Sequence, residues 1–172
     1  VVGGSNVGGI VGTVNGTIAV YNSQNNGEIT GSSMVAGIIG YTDNSTIKDC
    51  TNNAKVGGVD NVGGIVGKIC AGSVENCINK GAVSATSQAG GIIGNTNGVT
   101  VKNCKNEAGG TVTATGNAAV GGIVGGLNDG GTLVIEKCEN NAAINASNAN
   151  GVAGIVGHNP SSAVSITVTS CK

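Results

Sequence analysis

The sequence predicts an all-β fold, a parallel β-solenoid of about six coils, and three observations predict it. One phrase recurs six times at near-constant spacing, and a second phrase follows it each time. The apolar runs between are rich in Val, Ile and Thr and broken by Gly, a composition that suits strands and penalises helices.

The first phrase reads "NVGGIVG" at Asn6 and Asn61, "MVAGIIG" at Met34, "QAGGIIG" at Gln88, "AVGGIVG" at Ala119 and "GVAGIVG" at Gly151. Aligned on its first Ile, it gives Ile10, Ile38, Ile65, Ile92, Ile123 and Ile155, a period of 28, 27, 27, 31 and 32 residues. A catalytic turn or a binding loop needs to be made once, so a unit written six times is architectural. Periods of roughly 20–50 residues mark stacked supersecondary units, and two or three short strand-like runs per period fit one turn of a β-solenoid. Six such turns at the inter-strand distance make a rod of about 29 Å.

Composition supports this and narrows the function. The chain of 172 residues is 39% hydrophobic with a mean hydropathy of +0.19, enough to bury a core. The core must be built from small parts, because there are 33 Gly, one Pro, no Trp and no Phe, and Tyr21 and Tyr41 are the only aromatics. Eight basic and nine acidic residues leave a charge of −1 with no basic cluster for phosphate contacts, which argues against nucleic acid as a partner. No apolar run approaches the roughly 18 residues of a membrane span, and "VVGGSNVGG" at the start lacks the basic and apolar regions of an export signal. The chain opens almost directly on a repeat and stops within a phrase, so residues 1–172 read as one solenoid domain within a longer surface protein.

The second phrase reads "VYNSQNNGEI" at Val20, "IKDCTNNAKV" at Ile47, "VENCINKGAV" at Val74, "VKNCKNEAGGTV" at Val101 and "IEKCENNAAI" at Ile135, and "VTSCK" ends the chain. Stacking turns each position into a column. Ser23, Cys50, Cys77, Cys104, Cys138 and Cys171 form one, and Asn25, Asn52, Asn79, Asn106 and Asn140 form another two residues on. The residue between them varies among Gln24, Thr51, Ile78, Lys105 and Glu139, as an outward position does, so Cys and Asn should face in. Strict alternation would then turn Val74 and its equivalents outward. A bend at the residue before Cys, which is Asn22, Asp49, Asn76, Asn103, Lys137 or Ser170, would return both to the core, and Asn and Asp tolerate the left-handed backbone that such a corner needs. In the first phrase, alternation turns either the Val pair or the Ile inward. Inward Ile, flanked by Gly columns that let opposite walls approach, is the preferred reading; outward Ile would leave an apolar stripe along the rod.

The tandem of "GGIVG" and V-x-N-C-x-N-x-G-x-V resembles the GLUG-motif repeats of bacterial surface proteins, including adhesin-like proteins and the non-catalytic parts of immunoglobulin A peptidases, over nearly the whole chain. The resemblance implies a right-handed parallel β-helix, secreted and attached to a bacterial surface as a spacer or adhesive region. It carries no catalytic motif.

Chemistry-bearing residues are few. Six Cys invite a disulfide framework, but registered neighbours about 4.8 Å apart exceed disulfide geometry and Ser23 replaces Cys within the column, so buried free thiols are expected. Cys70 lies outside the column and is the one expected to be exposed. No Cys-x-x-Cys occurs, "LNDGGTL" around Asp129 reads as a turn rather than a calcium loop, and His158, the single His, has no acidic or Cys neighbour in sequence. "GGIVGG" around Gly121 lacks the Lys-Ser/Thr and the helix of a phosphate loop. Glu75 and Glu136 share a column with Tyr21, Lys48 and Lys102, the mixed charge of a solvated face. The Thr ladder of an ice-binding face is broken by Gly57 and Asn145. The expectation is a structural or adhesive module of a bacterial cell-surface or secreted protein, extracellular, with no catalytic, cofactor or metal site. Its partners would be a host or bacterial surface protein or glycan and flanking domains of the same polypeptide. The competing reading is a carbohydrate-active β-helix, a lyase or hydrolase or a glycan binder, with its acids 5–10 Å apart in a groove on an outer face.

Overall fold

The second coil shows how the chain winds. In the computed structural model, which describes residues 1–117, 119–128, 131–158 and 165–172, Ser33–Ala36 enters an opening sheet and the chain bends at Gly37 and Ile38. Ile39–Lys48 then forms a long sheet, Thr51–Asn52 a short third sheet and Val56–Gly57 a fourth, before Asp60–Gly63 returns to the opening sheet one rung further on. Every strand pairs in parallel with its equivalent in the next coil: Val35 with Val62, Ile47 with Val74 and Val74 with Val101, Asn52 with Asn79. No helix occurs among the described residues, and the predicted β-solenoid of stacked parallel strands is what the chain forms.

The coil count differs slightly from the six expected. The opening sheet has six rungs, from Ser5–Gly8 to Gly151–Ala153, whereas the third and fourth sheets have five. Six copies of the first phrase therefore make five full turns and part of a sixth, because the last copy of the second phrase ends at Lys172. The period of 28 in the first coil also has a local cause. Register in the strand Val11–Tyr21 shifts between Val14 and Thr17, and the extra residue is taken up at Asn15-Gly16, where Gly16 has φ +138°.

The corner before Cys forms as anticipated. Asn22, Asp49, Asn76, Asn103, Lys137 and Ser170 all have φ between 49° and 55°. Ile47, Val74, Val101 and Ile135 are thereby buried together with Cys50, Cys77, Cys104 and Cys138.

The choice between Val and Ile in the first phrase needs correcting. Val35, Ile38 and Ile39 are all fully buried, and so are Val62, Ile65 and Val66 one coil on. Alternation holds only within a continuous strand, and the bend at Gly37-Ile38 separates Val35 on the opening sheet from Ile39 on the long sheet. Inward Ile is right for Ile38, Ile65, Ile92 and Ile123; outward Val is not.

The interior is consequently divided in two. One apolar column, lined by the long sheet and the Cys corner, holds Ile38, Ile39, Ile47, Cys50 and their equivalents. The other lies between the opening and fourth sheets and holds Ile29, Val35, Val56, Val62 and Val83. Asn side chains from the third sheet reach between them to the second Gly of the first phrase. A Cβ on Gly64 would lie 2.3 Å from Asn79 Cγ and 2.2 Å from the Gly91 carbonyl oxygen, so the two walls meet there at a distance only Gly allows.

Candidate functional site

The Asn wall is a continuous amide ladder. The side-chain amide of Asn25 donates to Asn52 Oδ1 at 2.8 Å, Asn52 to Asn79 at 2.8 Å, Asn79 to Asn106 at 2.9 Å and Asn106 to Asn140 at 2.9 Å. The second amide hydrogen of each donates to a main-chain carbonyl of its own corner, Gly27, Ala54, Gly81, Gly110 and Ala142 respectively. Asn52, Asn79 and Asn106 are fully buried and use both donors, which makes the burial of a polar side chain tolerable. Asn25, Asn52, Asn79 and Asn106 are buried and Asn140 at the far end is partly exposed, so the ladder serves chiefly to hold coil on coil.

The Cys column lies in the first apolar column. All six cysteines are free thiols. Cys50, Cys77 and Cys104 each donate to two main-chain carbonyls, at 3.2–3.8 Å, and burial pushes the Cys104 thiol well above its ordinary pKa. They fill a tight corner of the core as small apolar side chains. Cys70 stands apart, as anticipated, but is only half-buried: its sulfur is 3.7 Å from the Tyr41 hydroxyl. That hydroxyl also hydrogen-bonds Asp43, a contact that raises the Tyr41 pKa. Cys171, in the unfinished last coil, is half-buried too.

Outside, the columns change character. Tyr21, Lys48, Glu75, Lys102 and Glu136 stand in register on the long sheet. Lys102 Nζ lies 3.0 Å from Glu136, which raises the lysine pKa. On the third sheet Lys105 and Lys172 flank Glu139 at 3.6 and 3.0 Å, and the hydrogen bond from Lys172 lowers the Glu139 pKa. Glu75 and Glu136 are thus two rungs apart with a lysine between them. No group of three His, Cys, Asp or Glu able to hold a metal occurs among the described residues. Asp129 lies outside the described residues; His158 closes the strand Val156–His158, and its side chain lies outside them too.

Two features escaped the sequence. Asn6, Met34 and Asn61, just before the first Val of the first phrase, also have positive φ, of 58°, 52° and 52°. Asn at the same place in two copies was the available signal, and Met34 obscured it. An amide cluster also forms on the outer side of the long sheet, where Asn95 donates to Gln88 Oε1 and, at 3.2 Å, to Asn128 Oδ1. Gln88 stands at the place of Asn6, Met34 and Asn61, and Asn95 at that of Tyr41 and Lys68, columns whose residues differ from coil to coil, so no shared residue type pointed to them.

A stack of parallel coils held by buried ladders of Asn and Cys defines a β-solenoid repeat protein. Within it, residues 31–57 match the family described as the GLUG motif. That segment contains "MVAGIIG" and "IKDCTNNAKV", whose phrases the other coils repeat, so the resemblance to GLUG-motif repeats holds on the coil matched. No curated protein and no solved structure gives a match to the chain. No helix of the described residues is long and apolar enough to cross a membrane.

Proposed function

We propose that this chain is a non-catalytic structural and adhesive module of a bacterial cell-surface or secreted protein, working outside the cell as a rigid spacer. The observation that carries the reading is the division of labour between columns: those that repeat, Ile, Cys, Asn and Gly, hold coil on coil, while those that vary face solvent. Support for the absence of catalysis comes from the acids. Glu75 and Glu136 alternate with lysines along a solvated ladder, an arrangement that neutralises charge along that face. The variable outward residues are the natural contacts for a host or bacterial surface protein or glycan, and the coil ends for flanking domains of the same polypeptide. The GLUG-motif match and the rod-like stack favour the surface setting.

The test has two arms. Beads carrying the chain should be retained on a surface coated with host extracellular proteins or glycans, and substitutions on the outward columns should reduce retention without lowering thermal stability. A panel of polysaccharides incubated with the chain should release no new reducing or unsaturated ends; release that is lost in Glu75→Gln or Glu136→Gln would overturn the reading in favour of a carbohydrate-active enzyme.

A further inference from the structure

The outer side of the long sheet carries a mixed cluster that coil stacking does not call for. Tyr41, Lys68 and Asn95 stand in register on three successive rungs. Asp43 and Cys70 face each other beside them, between the pairs Thr42–Ile69 and Asn44–Ala71. All five belong to the second, third and fourth coils, with a coil on either side, so the face they form is the flank of the rod. The Tyr41 hydroxyl donates to Asp43 and lies 3.7 Å from Cys70 Sγ. Asp43 is two residues further along the same strand and Cys70 one rung away, so the tyrosine ring lies along the sheet instead of standing off it, and it is partly exposed. Beyond Lys68 the face becomes a floor of amides. Asn95 is only 1% exposed, and its amide donates to Gln88 Oε1 and Asn128 Oδ1. Its own Oδ1, like that of Asn97, is buried with no hydrogen-bond partner among the described residues, which is an unfavourable state for an amide oxygen. Gln88 lies across this floor in room left by Gly126, where a Cβ would be 2.9 Å from Gln88 Cδ.

We propose that this face is a carbohydrate-binding site, taking a pyranose oligosaccharide with one sugar ring against the Tyr41 ring and its hydroxyls on Asp43, Lys68, Gln88 and Asn95. The inference rests on the adhesive reading above and gives it a place and a ligand class. A pyranose has an apolar C–H side that suits a flat aromatic surface, and a rim of hydroxyls that both donate and accept. Matching groups surround Tyr41: Asp43 supplies an acceptor, Lys68 donors, and the amides of Gln88 and Asn95 both. The Gln88 side chain turns on three χ angles, so a sugar hydroxyl entering in its place can donate to Asn95 Oδ1 and satisfy that buried oxygen. Other ligand classes fit this face less well. A single lysine beside an aspartate does not make a phosphate site, and among the described residues no large aliphatic side chain is exposed here to anchor a peptide.

Cys70 is a reporter built into the site, because a ligand on the Tyr41 ring covers its sulfur. The folded chain is titrated with mannotriose, lactose, chitotriose and sialyllactose, and labelling by N-ethylmaleimide is followed at Cys70 and at Cys171, which lies outside the site. At least one of these sugars should slow Cys70 about tenfold at ten times its Kd and leave Cys171 unchanged. Tyr41→Ala and Lys68→Ala should each raise the sugar concentration needed for half-protection by about tenfold, while Tyr41→Phe, which keeps the ring, should raise it less. Circular dichroism confirms that each variant is folded; should Tyr41→Ala unfold, Lys68→Ala carries the test, since its side chain is not part of the core. Protection by none of the four sugars overturns the proposal, and retention of the same chain on a surface coated with host proteins would then leave the adhesive reading standing. Equal protection of Cys70 and Cys171, or protection that is unchanged in Tyr41→Ala and Lys68→Ala, overturns it as well, because the sugar would then act somewhere other than this face.

Discussion

The inner coils and the end coils carry the same phrases and bury them differently. Ile38, Ile65, Ile92 and Ile123 are inaccessible to solvent, while Ile10 is nearly half open and Ile155 only partly covered. Val74 and Val101 are buried, but Val168 in the same column is not. A coil therefore owes its burial to its neighbours more than to its own residues, and stability in such a stack is a sum of coil–coil interfaces. The consequence is that one substitution, made in the middle and at an end, should have unequal effects.

The largest inequality should fall in the second Gly column. A Cβ on Gly64 meets a backbone oxygen at 2.2 Å and the buried Asn79 amide, neither of which can rotate away, so Gly64→Ala should destabilise the chain by about 4 kcal/mol or more. Gly154, its equivalent in the last coil, has nothing within 4 Å of the added carbon, and Gly154→Ala should leave the urea midpoint close to that of the parent.

The Ile column comes next. Ile65→Ala removes a fully buried side chain and should cost about 2–5 kcal/mol, whereas Ile10→Ala, half exposed from the outset, should cost about 1 kcal/mol or less. Equal losses at the two sites in denaturant unfolding would mean that the first coil is covered in solution.

The Asn ladder should show a smaller contrast. Asn79→Ala leaves the Asn52 amide without its acceptor and Asn106 Oδ1 without its donor, costing about 1–3 kcal/mol. Asn25→Ala strips one donor from Asn52 Oδ1 at the end of the ladder and should cost less. If Asn79→Ala kept its full thermal stability but abolished surface attachment, the ladder would be a ligand site instead. The outer ladder should respond least. Glu136→Gln breaks the pair with Lys102 on a solvated face, and its thermal midpoint should be indistinguishable from the parent at moderate salt.

Much of this was legible before any coordinates, and the reason is repetition. With five or six copies of each position, Gln24, Thr51, Ile78, Lys105 and Glu139 announce an outward column, and Cys and Asn on either side an inward one. The corner at Asn22, Asp49 and Asn76 followed from needing both Val and Cys inside. What the sequence hid was the second corner. "VGGIVG" reads as one strand, and only the bend at Gly37-Ile38 allows Val35, Ile38 and Ile39 to share the interior. The split of the core by Asn against Gly was hidden for the same cause, since it depends on which walls face each other and not on spacing along the chain. The cluster of Gln88, Asn95 and Asn128 draws on columns that vary, Gln88 standing where Asn61 and Ala119 stand and Asn95 where Lys68 and Gly126 stand, so no shared residue type marked it.

Thiol labelling of the folded chain, resolved cysteine by cysteine, tests the stacked arrangement most directly. Cys50, Cys77, Cys104 and Cys138 are buried in one column beneath neighbouring coils, while Cys70 and Cys171 are half-buried outside that cover. Cys70 and Cys171 should react first, the other four should stay protected until the coils unfold, and all six should react in denaturant without any reductant. Labelling of all six at similar rates in the folded chain, or thiols missing from the denatured count because they are held in disulfides, would contradict a stack in which each coil buries the next.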